Sequence, residues 1–167
     1  MREKAGKKEK TLSLEKVREH LKRYGLAERI RVTEASSATV ELAAQALGIE
    51  PAWIAKTLSF LTKEGCLMVV AAGDARVDNG KFKQTFGEKA RMLPHELVEE
   101  MTGHPVGGVC PFAVKEGVRI YLDESLRRFD TVYPAAGDSQ SGVELHLPEL
   151  ERAAGALGWV DVCKDWA

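Results

Sequence analysis

Lys56 closes the short run Pro51-Ala-Trp-Ile-Ala-Lys56 and opens the apolar run Thr57-Leu-Ser-Phe-Leu61. A lysine at such a junction either snorkels to water or sits at the mouth of a pocket, where a half-desolvated charge is least screened. Further along, Val106-Gly-Gly-Val-Cys-Pro-Phe112 supplies a Gly-Gly loop whose backbone amides can approach a ligand closely. A cation and a bare backbone loop suit an ester or carboxyl-like group that gains negative charge. The pair therefore points to a hydrolase for such a group.

Other chemistries have weaker support. His20, His95, His104 and His146 form no H-x-x-x-H and no zinc-ligand pattern with a cysteine, so no metal is expected. There is no phosphate loop of either common pattern and no Gly-x-Ser-x-Gly elbow. Cys110 follows the glycine pair, with His104 six residues before it, so a thiol-dependent hydrolase is one alternative. Ser139 and Ser141 stand between loop glycines, where a hydroxyl reaches a ligand or simply makes a turn.

The 167 residues suffice for one domain with one core. With 44% hydrophobic and 29% charged residues and a net charge of -1, bulk charge carries no nucleic-acid signature. The distribution is uneven. Residues 1–23 hold nine Lys/Arg against four Glu, a local +5, which leaves -6 on the rest. Lys7, Lys8, Lys10, Lys22 and Arg23 are the side chains that such a segment could offer to a phosphate backbone. Three cysteines without C-x-x-C spacing, and no secretory apolar region, suggest free thiols in a reducing cytoplasm. No apolar stretch is long enough to span a membrane.

The elements that must position these groups follow from periodicity and punctuation. Residues 1–12 read as a charged, flexible leader and 13–167 as a single domain. Ser13 suits the cap of a helix over 14–24, and Ile30 to Thr33 a strand. Ser36, Ser37 and Thr39 offer caps for a second helix with Val40, Ala43, Ala44 and Leu47 on one face, ended by Gly48. A brief helix from Pro51 delivers Lys56. Thr57–Thr62 and Cys66–Ala72 make a hairpin about a tight turn. Asp78 caps a helix stopped by Gly87, and Pro94 starts another ended by Gly103. Strands follow at Val118–Leu122, Thr131–Ala135 and Val143–Leu147, with a polar loop from Gly137 to Gly142. Pro148 begins a last helix through Leu157, and Trp159–Cys163 a final strand. The fold class is α/β in the α+β sense, a mixed, largely antiparallel sheet with helices packed around it.

Several segments in register resemble a known family. These are Ser37-Ala-Thr-Val-Glu-Leu-Ala-Ala44, Leu47-Gly48, Ile54-Ala-Lys-Thr-Leu58, Val106 to Phe112, Asp123-Glu-Ser-Leu126 and Gly137 to Leu145. Together they are similar to the YbaK/EbsC domains, the editing domains inserted in bacterial prolyl-tRNA synthetases and their freestanding counterparts. The resemblance implies a mixed, barrel-like sheet ringed by helices. It implies an aminoacyl-tRNA deacylase that uses no metal or cofactor and acts on a mischarged tRNA, such as tRNA(Pro) carrying a small amino acid. It places the family's essential lysine on Lys56 and its glycine loop on Gly107 and Gly108, with Val109 beside them. It places substrate contacts at Thr57, Ala135, Gly137, Ser139, Ser141 and Glu144. The expected partners are aminoacyl-tRNA and an aminoacyl-tRNA synthetase.

The last loop departs from the family pattern. Members acting on cysteinyl-tRNA(Pro) carry Ser where this chain has Ala135, and their shorter glycine loop is here extended from Gly137 to Gly142, with Glu144 as the nearest acidic match. Thr57 resembles the YbaK-like branch rather than the alanine-editing branch. A non-catalytic module that binds aminoacyl-tRNA or a synthetase is the second alternative.

Overall fold

A computed structural model describes residues 2–34 and 39–166 of the chain, with side chains from Leu12 onward. Ser36 and Ser37, expected to help cap the second helix, lie outside these residues. The elements in chain order are α1 (Arg2–Lys22), β1 (Ile30–Val32), α2 (Val40–Leu47), β2 (Ala55–Thr62), β3 (Gly65–Ala72) and β4 (Arg76–Val77). They continue with α3 (Asn79–Phe86), α4 (Val98–Thr102), β5 (Arg119–Asp123), β6 (Thr131–Val132), β7 (Ser141–Val143) and β8 (Leu145–His146). The chain closes with α5 (Leu147–Ala154), β9 (Trp159–Val160) and β10 (Cys163–Lys164).

The central sheet has the order β2-β3-β5-β9. β2 and β3 form the expected antiparallel hairpin, with Thr62 opposite Gly65 and Lys56 opposite Ala71. The parallel neighbours β5 and β9 then extend it. β3 is buried along Cys66–Ala72 because it has a strand on each side and helices over its faces. Its apolar run without alternation is the sequence counterpart of that position. Three short antiparallel pairs surround the sheet: β1 with β7, β4 with β10, and β6 with β8. The outer edge of β2 is covered by the segment around Met92, where Leu61 N–H donates to Arg91 O and Leu93 N–H to Ser59 O. The architecture is thus the expected mixed α/β fold. Among the described residues its strands pair as one four-stranded sheet with three two-stranded ladders around it.

The helix signals act as capping chemistry predicts. Thr39 accepts from the Leu42 amide and Asp78 from the Lys81 amide, satisfying donors left free at the first turns of α2 and α3. Gly48 and Gly87 end those helices in left-handed conformations. Phe82 of α3 stacks against Phe60 of β2 at 4.7 Å and against Phe86 at 4.8 Å, fixing the helix to the sheet.

Several elements differ from expectation: the strand expected at Trp159–Cys163 is two, β9 in the central sheet and β10 paired with β4, and the one expected at Val143–Leu147 is divided among β7, β8 and the first residue of α5. Helix α1 begins at Arg2, well before the Ser13 cap, so Ser13 lies inside the helix. There it is buried, and its hydroxyl reaches His104 Nδ1 at 2.8 Å. The presumed loop Gly137 to Gly142 turns into strand at Ser141, because Ser141–Val143 finds Ile30–Val32 as a partner. A polar, glycine-bearing segment gives no local sign of that distant pairing.

Candidate active site

The start of β2, the turn before Cys110 and the segment from Tyr133 to Gly142 enclose a cavity of about 230 Å³ against α2. Val40, Ala43 and Leu47 of α2 and Ile54 form an apolar wall. Lys56, Thr57, Gly107, Val109, Ala135 and Ser141 complete it, together with Tyr133 and Gly142. Stretches far apart in sequence thus meet because β2 is held by β3 on one side and by Tyr133 on the other. Ile54 bridges to Tyr133, whose N–H donates to Trp53 O while Ala55 N–H donates to Tyr133 O.

Lys56 is half-buried. Its ammonium donates to Gly73 O at 3.3 Å and to Ala75 O. An ammonium has three N–H groups, so one is left for a ligand. Burial pushes Lys56 below the usual lysine range, and the Asp74 carboxylate opposes part of that shift. The accepting carbonyls are themselves positioned. Buried Asp123 accepts from Ser125 N–H and Val162 N–H, and Ser125 Oγ accepts from Ala72 N–H, fixing the end of β3 just before Gly73. The Asp123 to Leu126 segment therefore acts as a clamp behind the lysine.

The glycine pair divides its work. Gly107, at a φ of 90°, lines the cavity. Gly108 does not. It is buried against the neighbouring loop, where an added Cβ would stand 2.5 Å from Gly137 O, and its amide is already donated to Pro105 O. Among the described residues, the Gly107 and Val109 amides have no protein acceptor. Gly137 also lies away from the cavity, packed so closely on α1 that a Cβ would meet Ser13 O at 2.8 Å. Ser139 is likewise not on the cavity wall. Glu144 sits one layer back, accepting from Tyr133 Oη at 3.0 Å and paired with Arg31. Tyr133 escaped the sequence reading, although it lies inside the strand expected at Thr131–Ala135.

Cys110 is buried, with its thiol pushed up to about 12 by burial. Its Sγ is 3.5 Å from His104 Nε2. That nitrogen is only 2.6 Å from Phe112 O, and Nδ1 faces Ser13 Oγ. Phe112 O can only accept, so Nε2 carries the proton and Nδ1 accepts from the Ser13 hydroxyl. The imidazole is fully occupied in packing, and neither residue is on the cavity wall. Among the described residues no group of three or more His, Cys, Asp or Glu could hold a metal, and no helix is long and apolar enough to cross a membrane.

A sequence profile described as "Aminoacyl-tRNA editing domain" matches residues 34–153. The chain belongs to this aminoacyl-tRNA editing family. The editing domain is 47% identical over 156 residues to the uncharacterized protein YwhH of Bacillus subtilis (strain 168), matching 93% of this chain and 99% of that one. It is 31% identical over 126 residues to the proline–tRNA ligase of Thermosipho melanesiensis, which covers 74% of this chain but only 22% of the ligase. Among solved structures, a candidate trans-editing enzyme for prolyl-tRNA synthetase superposes with a TM-score of 0.82 at 31% identity, covering 91% of this chain and 97% of that one. The match to the ligase lies in one portion of a much longer protein, so the editing domain shares an ancestry with that portion and not with the whole ligase.

Proposed function

We propose that the editing domain is an aminoacyl-tRNA deacylase acting in trans, which removes a small, wrongly attached amino acid from a tRNA such as tRNA(Pro). The observation that carries this reading is the shared cavity, which Lys56 from β2 and Gly107 from the glycine turn both line. Water attacks the ester carbonyl, the bond from the acyl carbon to the ribose oxygen breaks, and that oxygen takes the proton. The products are the free amino acid and a tRNA with an intact terminal ribose. Charge that builds on the carbonyl oxygen is met by the Gly107 and Val109 amides, while the remaining Lys56 N–H stabilises charge or fixes the terminal adenosine. Gly108 acts by keeping the turn close to the Gly137 loop. An aminoacyl ester is already activated, so the cavity can work without a histidine or cysteine nucleophile.

The likeness to a candidate trans-editing enzyme for prolyl-tRNA synthetase supports action in trans. The ligase relationship supports tRNA(Pro) as the carrier and a prolyl-tRNA synthetase as the working partner. The buried free thiols suit a reducing cytoplasm.

The test is a deacylation screen over mischarged tRNAs with Lys56→Ala as control. The variant is expected to fold with a similar melting profile and to lose on the order of 100- to 1000-fold in rate. One observation favours a second reading: Lys56 already donates to two carbonyls. If it is only a strut, the domain binds charged tRNA without releasing amino acid. Wild-type hydrolysis in the variant would remove Lys56 from the mechanism, and binding without turnover in the wild type would overturn the deacylase reading.

A further inference from the structure

We propose, resting on the reading of this cavity as an acyl pocket, that it selects amino acids bearing a side-chain hydroxyl, namely serine and threonine. Among the described residues, three buried side-chain polar atoms have no hydrogen-bond partner: Thr57 Oγ1, Arg119 Nε and Ser141 Oγ. Two of the three belong to this cavity wall. Ser141 is only 3% exposed, so its hydroxyl has little recourse to bulk water. Three other buried hydroxyls are satisfied: Ser13 on His104, Thr102 on Val98 O, and Ser125 under the Ala72 amide. Native proteins pair nearly all such groups, so an orphan that borders a cavity marks a partner supplied from outside.

The rest of the wall defines that partner. Among the described residues, Lys56 is its one cation and the wall contains no carboxylate or imidazole, so a charged side chain finds no counter-ion besides the lysine assigned to the ester end. Val40, Ala43 and Ile54 crowd the other side and favour a small occupant. The two hydroxyls come from separate elements, β2 and β7, and each can donate one hydrogen bond and accept another. A substrate hydroxyl does the same, so it can pair with either. An alanyl or valyl group leaves them orphaned, and a site built around a substrate hydroxyl discriminates strongly against the analogue that lacks it.

The experiment compares binding of non-hydrolysable 3′-amide analogues of aminoacyl-adenosine by calorimetry, alongside hydrolysis of the matching charged tRNAs. Seryl over alanyl, and threonyl over its near-isostere valyl, should each be favoured at least about tenfold in wild type. Ser141→Ala or Thr57→Val should bring these ratios toward one. A wild-type ratio near one, ratios unchanged in both variants, or absence of analogue binding overturns the proposal. So does an equal weakening of alanyl and seryl analogues, which would assign the hydroxyls to the ribose or the α-amine. A preserved seryl preference with no ester hydrolysis leaves this inference standing and removes only the deacylase reading.

Discussion

Two buried groups that look reactive in the sequence turn out to be structural, and each gives a test. Cys110 has its thiol pushed up to about 12, which starves it of thiolate at neutral pH. Cys110→Ala should therefore keep the wild-type deacylation rate. A collapse in rate, with the melting curve unchanged, would restore the thiol hydrolase. His104 is neutral and enclosed, and burial pushes it below the usual histidine value of 6.5. In the unfolded chain it takes up a proton at higher pH than in the folded one. Its contribution to stability is therefore full above 6.5 and drains away as pH falls from there toward its depressed folded value. Thermal melts from about pH 7.5 to about pH 5.5 should show wild type losing stability more steeply than His104→Gln. Parallel pH profiles would discard that role. Spacing had placed His104 near Cys110, but only the fold reveals that Ser13 and Phe112 O occupy both of its ring nitrogens.

At the scale of elements, the glycine turn is held by contact rather than by flexibility. Gly108 lies where a methyl would stand 2.5 Å from Gly137 O and 2.6 Å from Asp138 Cα, both backbone atoms that no side-chain rotation can move. Gly108→Ala should cost about 1–3 kcal/mol in urea unfolding. It should also lower deacylation by displacing the Gly107 and Val109 amides. A variant with wild-type midpoint and rate would show the two loops to be looser than they stand here. The hairpin of β2 and β3, the Thr39 and Asp78 caps and the stops at Gly48 and Gly87 were legible because each rests on neighbours within a few residues. β7 was not legible. Ser141 and Gly142 read as loop until Ile30–Val32 offers a ladder. The parallel docking of β5 on β3 likewise depends on chain far from both.

For the molecule as a whole, the charge asymmetry finds a structural context. The basic first 23 residues are almost wholly α1, and α1 packs directly under the Gly137 loop that backs the glycine turn. The cationic end of the chain is thus joined mechanically to the cavity's surroundings. Lys7, Lys8 and Lys10, whose side chains lie outside the described set, are proposed to contact the tRNA backbone. Replacing all three by Gln should weaken tRNA binding and reduce the slope of log affinity against log salt by roughly 0.7–0.9 per lost phosphate contact. An unchanged slope would confine recognition to the acylated end.

The sequence by itself determined the α/β class, the hairpin, the helix boundaries at α2 and α3, and the choice of Lys56 and the glycine turn as places to look. Those features are local: capping, alternation and punctuation act over a handful of residues. Only the tertiary structure decided that Gly107 and Val109 face the cavity while Gly108, Gly137 and Ser139 do not, that Glu144 stands behind Tyr133, and that Thr57 and Ser141 hold unpaired hydroxyls at one wall. Such facts are set by which distant segments touch and which hydrogen bonds their contact consumes, and a linear pattern of residue types records neither.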